Sequence, residues 1–143
     1  MQEAFQIAGI VLAAGQSTRM GSENKLLAEV NGLSIVKRVV SAVVASRANP
    51  VVVVTGHENS RVSEAVSPLD VTFAHNPNYA EGLSTSLLRG LADLPNSIDG
   101  AVIILADMPL LSSGGINMLI GSFDPLKGRA ICVPTRKGMR GKI

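Results

Sequence analysis

The chain has 143 residues, 46% of them apolar and 17% charged, with a formal net charge of +2. That length suffices for one domain with an ample core, and the balance excludes a disordered chain. Aromatics are confined to Phe5, Phe73, Tyr79 and Phe123, too few for the stacking platforms of single-stranded nucleic-acid binders. The charge is uneven. Residues 1–126 carry seven basic and eleven acidic side chains, whereas residues 127–143 carry six basic ones and no acid. Such an end suits an anion site or a solvated face, and no nucleic-acid partner is expected. Cys132 is the single cysteine, so no disulfide framework forms within the chain; this fits a reducing compartment. No uncharged apolar run reaches membrane-spanning length and the N-terminus lacks a signal-peptide pattern, so a cytoplasmic protein without a membrane partner is expected.

In chain order, residues 6–13 read as a buried strand. Asn31-Gly32 marks a turn. Ser34 is placed to cap a helix running to about Arg47, with Ile35, Val39, Val43 and Val44 as its apolar face. Asn49-Pro50 stops it. Val51 to Val54 is a β-branched run typical of a strand covered on both faces, ended by Gly56. A short helix is expected over 59–67 and a strand over 70–75. A polar loop follows from Asn76 to Gly82, then a helix over 84–93 with Leu87, Leu88 and Leu91 inward. Ala101–Ala106 is the strongest strand signal. A helix over 113–122 and a strand over 129–134 complete the pattern. This alternation predicts an α/β fold: three layers, Rossmann-like, with a mostly parallel central sheet. Residues 1–143 form one domain.

The first strand runs into Gly15-Gln-Ser-Thr-Arg-Met-Gly21, and Lys25 follows. Glycine lets the backbone approach an anion, and successive N–H groups of a turn form an anion-binding concavity. Arg19 and Lys25 add charge that amides lack. Five residues separate Gly15 from Gly21, so this is no Walker A loop, and the dinucleotide fingerprint is absent. A triphosphate-binding loop is the reading favoured over an ordinary strand-to-helix turn. Asp107 follows the strongest strand and precedes Met108-Pro109. A carboxylate there either caps the next helix or binds Mg²⁺, which takes few protein ligands; beside a phosphate loop the metal reading prevails. In Ser84-Thr85-Ser86 one hydroxyl caps the helix, and the others are available to a base or ribose. His57 and His75 have no partners at zinc-ligand spacing and read as loop residues.

Leu12-Ala13-Ala14-Gly15 through Gly21, then Lys25-Leu26-Leu27, resembles the signature loop of the molybdenum cofactor nucleotidyltransferases, the MobA-like NTP transferases. Asn76-Pro77 through Glu81-Gly82-Leu83-Ser84-Thr85-Ser86-Leu87 resembles the matching segment of their cytidylyltransferase branch. Leu105-Ala106-Asp107-Met108-Pro109 is similar to their metal motif. The resemblance implies transfer of CMP, or less readily GMP, from the triphosphate to the phosphate of molybdopterin, releasing pyrophosphate. It implies Mg²⁺ on Asp107, catalytic roles for Arg19, Lys25 and Asp107, and nucleotide contacts from Leu12, Ala13, Ala14, Gly15, Lys25, Thr55, Asn76, Gly82, Ser84 and Ser86. It further implies contact with a molybdoenzyme or its chaperone, and a C-terminal continuation bearing a second acidic residue that this chain lacks. Two readings stay open beside it: another phosphorylated acceptor, and a nucleotide-binding module without turnover.

Overall fold

The computed structural model describes residues 6–14, 25–67, 69–107, 112–122, 135–136 and 139–140. Its first strand, β1 (Ile7–Ala13), is buried along its whole length. A 3₁₀ turn, Lys25–Leu27, leads to a small hairpin of β2 (Glu29–Val30) and β3 (Leu33–Ser34). The hairpin turns on Asn31 and Gly32, with φ of 54° and 84°, the double left-handed conformation that two-residue hairpins require. The turn was legible in Asn-Gly; the strands, two residues each, were too short to read.

Helix α1 (Ile35–Val44) begins where expected, because the Ser34 hydroxyl accepts from the Lys37 N–H at 3.2 Å. It ends at Val44, before the expected Arg47. Its inner face is Ile35, Val36, Val39, Val40 and Val43; Val44 only flanks it. Strand β4 (Val51–Thr55), helix α2 (Asn59–Val66), strand β5 (Thr72–His75), helix α3 (Leu83–Ala92), strand β6 (Gly100–Leu105) and helix α4 (Ser113–Ser122) follow. A last hairpin pairs β7 (Thr135–Arg136) with β8 (Met139–Arg140). The strand expected over 129–134 lies outside the described residues. Among them, no helix is long and apolar enough to cross a membrane.

Four strands form one parallel sheet in the order β5-β4-β1-β6. Parallel sheets are typically covered on both faces. The two inner strands show this most fully: β1 and β4 are buried along their whole length, as their unbroken apolar runs reflect, whereas the edge strand β5 is mostly exposed. Alternate residues part between two clusters. Val11, Val53 and Ile104 join α1, α2 and α4 on one face. Ile10, Val52 and Val54 face the other way, toward α3.

Helix α3 corrects an expectation. Ser86 and Gly90 are its buried residues, while Leu88 is 67% and Leu91 42% exposed. A Cβ on Gly90 would stand 2.8 Å from Ile10 Cγ2 and 2.9 Å from Val54 Cγ2. The helix lies so close to the sheet that only small residues fit beneath it. Leucine spacing marks an apolar stripe but does not say which side faces the sheet.

Candidate active site

The chain lays β1, β4 and β5 outward in turn, then crosses back through α3 to place β6 on the other side of β1. The strand order therefore reverses between β1 and β6, where ligands of open α/β sheets bind beyond the carboxyl ends. The register aligns those ends: Leu12 pairs with Leu105, Ala13 with Thr55, and Thr55 with His75. The Ala106 N–H donates to the Leu12 carbonyl at 3.1 Å. Asp107 thus emerges beside Ala13 and Ala14, at the root of the glycine loop.

Asp107 is exposed. It does not cap α4, since the Ser112 hydroxyl accepts from the Gly115 N–H at 3.0 Å. Among the described residues no group of three His, Cys, Asp or Glu is placed to hold a metal. A single carboxylate with open solvent around it still fits Mg²⁺, which is commonly held by one or two carboxylates plus substrate phosphates.

Leu12, Ala13 and Ala14 are buried, so their side chains serve the core. Gly15 and Arg19 lie outside the described residues. Lys25 opens the 3₁₀ turn, which is held by buried Leu26 against α1 and α2.

Four of the polar candidates divide unexpectedly. Thr55 is fully buried; its hydroxyl donates to Asn59 Oδ1 and its carbonyl accepts from the Asn76 N–H at 2.7 Å. Asn76 is also buried. Its Nδ2 donates to Thr85 Oγ1 and Ser86 Oγ, both at 2.9 Å, and its Oδ1 accepts from the Asn78 N–H at 2.9 Å. The Thr55 side chain is thus committed to the start of α2, and those of Asn76 and Ser86 to each other. Ser84 is exposed, and its hydroxyl bonds no described residue. Gly82, at φ 124° and ψ 166°, precedes α3 without any side-chain cap. An uncapped helix start leaves backbone N–H groups open to an acceptor.

Sequence reasoning passed over a second cluster at the same end. The His57 N–H donates to the Ala14 carbonyl at 3.3 Å. The His57 ring lies 5.9 Å from that of Tyr79, tilted by 51°, and its Nε2 is 3.5 Å from Glu58 Oε1. Glu58 occupies the left-handed region at φ 53° and ψ 44°, uncommon for a residue with a side chain, and it pairs with Arg61.

The family model of the MobA-like NTP transferase domain matches residues 9–143. The chain belongs to that family. It is 32% identical over 103 residues to a probable molybdenum cofactor guanylyltransferase of Natronomonas pharaonis, spanning 72% of this chain and 50% of that protein. It is 37% identical over 134 residues to the bifunctional protein GlmU of Bifidobacterium longum subsp. infantis, spanning 90% of this chain and 29% of that protein. A solved nucleotidyl transferase from Methanothermobacter thermautotroptrophicus superposes with a TM-score of 0.73 at 31% identity, covering 81% of this chain and 57% of that one.

With its MobA-like NTP transferase domain, the chain is a member of a nucleotidyltransferase family, and it spans half or less of the length of these two curated relatives, the guanylyltransferase and GlmU. Within it, His57 had one signal that could have drawn attention. It follows a buried strand as Asp107 does, and strand ends are where this fold places its ligands.

Proposed function

We propose that the chain binds CTP across the reversal point of its sheet and transfers CMP to the phosphate of molybdopterin, releasing pyrophosphate. The observation that carries this is the β1–β6 register, which sets Asp107 beside the root of the glycine loop. Backbone N–H groups from Ala13 onward, with Gly15, hold the triphosphate. Arg19 and Lys25 balance the charge that develops on the departing pyrophosphate. Gly82 and Ser84 offer the base and ribose a backbone edge and an exposed hydroxyl, while Thr55, Asn76 and Ser86 fix that segment in place. Asp107 would hold Mg²⁺, which supplies charge neutralisation along the phosphates when bound.

In the reaction, an acceptor phosphate oxygen attacks the α-phosphorus in line. The new P–O bond forms as the bond to the bridging oxygen breaks, and pyrophosphate leaves with the electron pair. The attacking oxygen is already ionised, so the protein needs no general base; positioning and charge stabilisation are its contribution. Ala14 and the Glu81–Thr85 segment, by their resemblance to the cytidylyl branch, favour CTP. GTP is the second reading, favoured by the guanylyltransferase relative.

Competitive titration with CTP and GTP in Mg²⁺, followed by pyrophosphate release with a panel of phosphorylated acceptors, tests the assignment. CTP should bind more tightly, molybdopterin should be the productive acceptor, and Asp107→Asn should abolish Mg²⁺-dependent release in a folded protein. A GTP preference overturns the base assignment. Near-normal release by Asp107→Asn at limiting Mg²⁺ overturns the metal site.

A further inference from the structure

The Gly56–His57 corner and Tyr79 together join the two halves of the proposed nucleotide site. Tyr79 opens the 3₁₀ turn Tyr79–Glu81, and its carbonyl accepts from the Gly82 N–H at 3.4 Å, immediately before α3. Its ring lies on the Gly56 backbone so closely that a Cβ there would stand 2.7 Å from Tyr79 Cβ and 2.8 Å from Cγ and Cδ1. The neighbouring His57 reaches the other way, through its N–H, to the Ala14 carbonyl. A continuous path of contact therefore runs from the root of the phosphate loop, through His57 and Tyr79, to the start of α3.

We infer that Tyr79, seated on Gly56 and flanked by His57, is a positioning residue that sets the distance between the triphosphate and base subsites and thereby selects the base. This rests on the proposed nucleotide site. A purine and a pyrimidine present their hydrogen-bonding edges at different distances from the ribose. A helix start held at one spacing from the phosphate loop therefore meets one edge well and the other poorly. The contact with Gly56 is made by the ring and its Cβ, so the ring carries the role. Misplacement by an ångström is costly in a preorganised site, on the order of a hundredfold at the extreme.

The test measures affinities for CTP, GTP and inorganic tripolyphosphate in Mg²⁺, with thermal midpoints alongside. Tyr79→Ala removes the ring. Gly56→Ala keeps the ring and displaces it by steric conflict. Both should narrow the CTP-to-GTP affinity ratio about tenfold while leaving tripolyphosphate affinity as in the wild type, and Tyr79→Phe should keep the ratio. His57→Ala, which leaves Tyr79 in place, should narrow it in the same direction and serves if Tyr79→Ala does not fold. An unchanged ratio in folded Gly56→Ala and His57→Ala overturns the inference alone. Equal loss for all three ligands also overturns it, since that marks general damage. If the wild type binds neither nucleotide, the proposed function falls and the inference with it.

Discussion

The two faces of the sheet are built from the same strands yet close in opposite ways. On one face, three helices bring Val and Ile to meet Val11, Val53 and Ile104. On the other, α3 brings Ser86 and Gly90 and turns Leu83, Leu88 and Leu91 outward, with Leu87 half-buried. The first face is sealed by volume and the second by proximity. The turn that starts at Lys25 leans on the first. On the second, the uncapped start of α3 is brought close to the strand ends. Firm apolar packing thus backs the proposed catalytic lysine, and close approach places the proposed base-reading edge.

The comparison is broken most directly by cutting the same side chain on each face. Ile104→Ala should cost about 2–5 kcal/mol, because three helices cannot all settle into the space it leaves. Ile10→Ala should fall at or below the lower end of that range, since a single helix can follow the smaller side chain. Denaturant titration of both variants reads the difference, and equal costs would show that the faces are equivalent. Next is Lys25→Ala. A charged donor held rigidly at a developing charge is worth roughly 2–4 kcal/mol, so turnover should drop about a hundredfold while CTP affinity falls less. Lys25→Arg should rescue poorly, a planar fork being no substitute for a compact ammonium. Silence of both variants in paired kinetics and titrations would leave Lys25 a surface charge.

A smaller effect sharpens the other half. Gly90→Ala should destabilise by about 1–3 kcal/mol through overpacking, even though alanine is the better helix former by roughly 1 kcal/mol. Pairing it with Ile10→Ala should cost less than the two added, because the cavity accepts the new methyl. Additive losses in that cycle would place the conflict elsewhere. Smallest of all is Leu88→Ser, expected within about 0.5 kcal/mol of the wild type. A loss near that of a core leucine would restore the leucine stripe as the inner face.

The same contrast explains what could be read beforehand. Strands announced themselves because buried parallel strands need unbroken apolar runs, and with their ends came the places of Ala14 and Asp107. Helix α1 was legible in outline for the same reason, though Val36 and Val40 widen its buried face. The orientation of α3 was not legible, because periodicity reports a stripe while contact here depends on smallness. That Thr55, Asn76 and Ser86 spend their side chains on protein partners was not legible either, because a polar group bonded within the fold and one left to solvent are the same letter. His57 and Tyr79 were missed because their relation spans two loops and exists only once the sheet is assembled.

That assembly has a thermodynamic side. Gln6 and Asp99, joined at 2.7 Å at the foot of β1 and β6, are 93 residues apart in the chain. Ordering so long a loop costs entropy that is recovered only when β6 docks beside β1. The proposed site at the far end of that seam is therefore a product of long-range closure. A molecule that grips both of its lips, and has no grip on the open chain, adds RT ln(1 + [L]/Kd) to the stability of the whole fold. Saturation at a hundred times Kd is worth about 2.7 kcal/mol. The protein's melting temperature is in this sense a reporter of what occupies the proposed site.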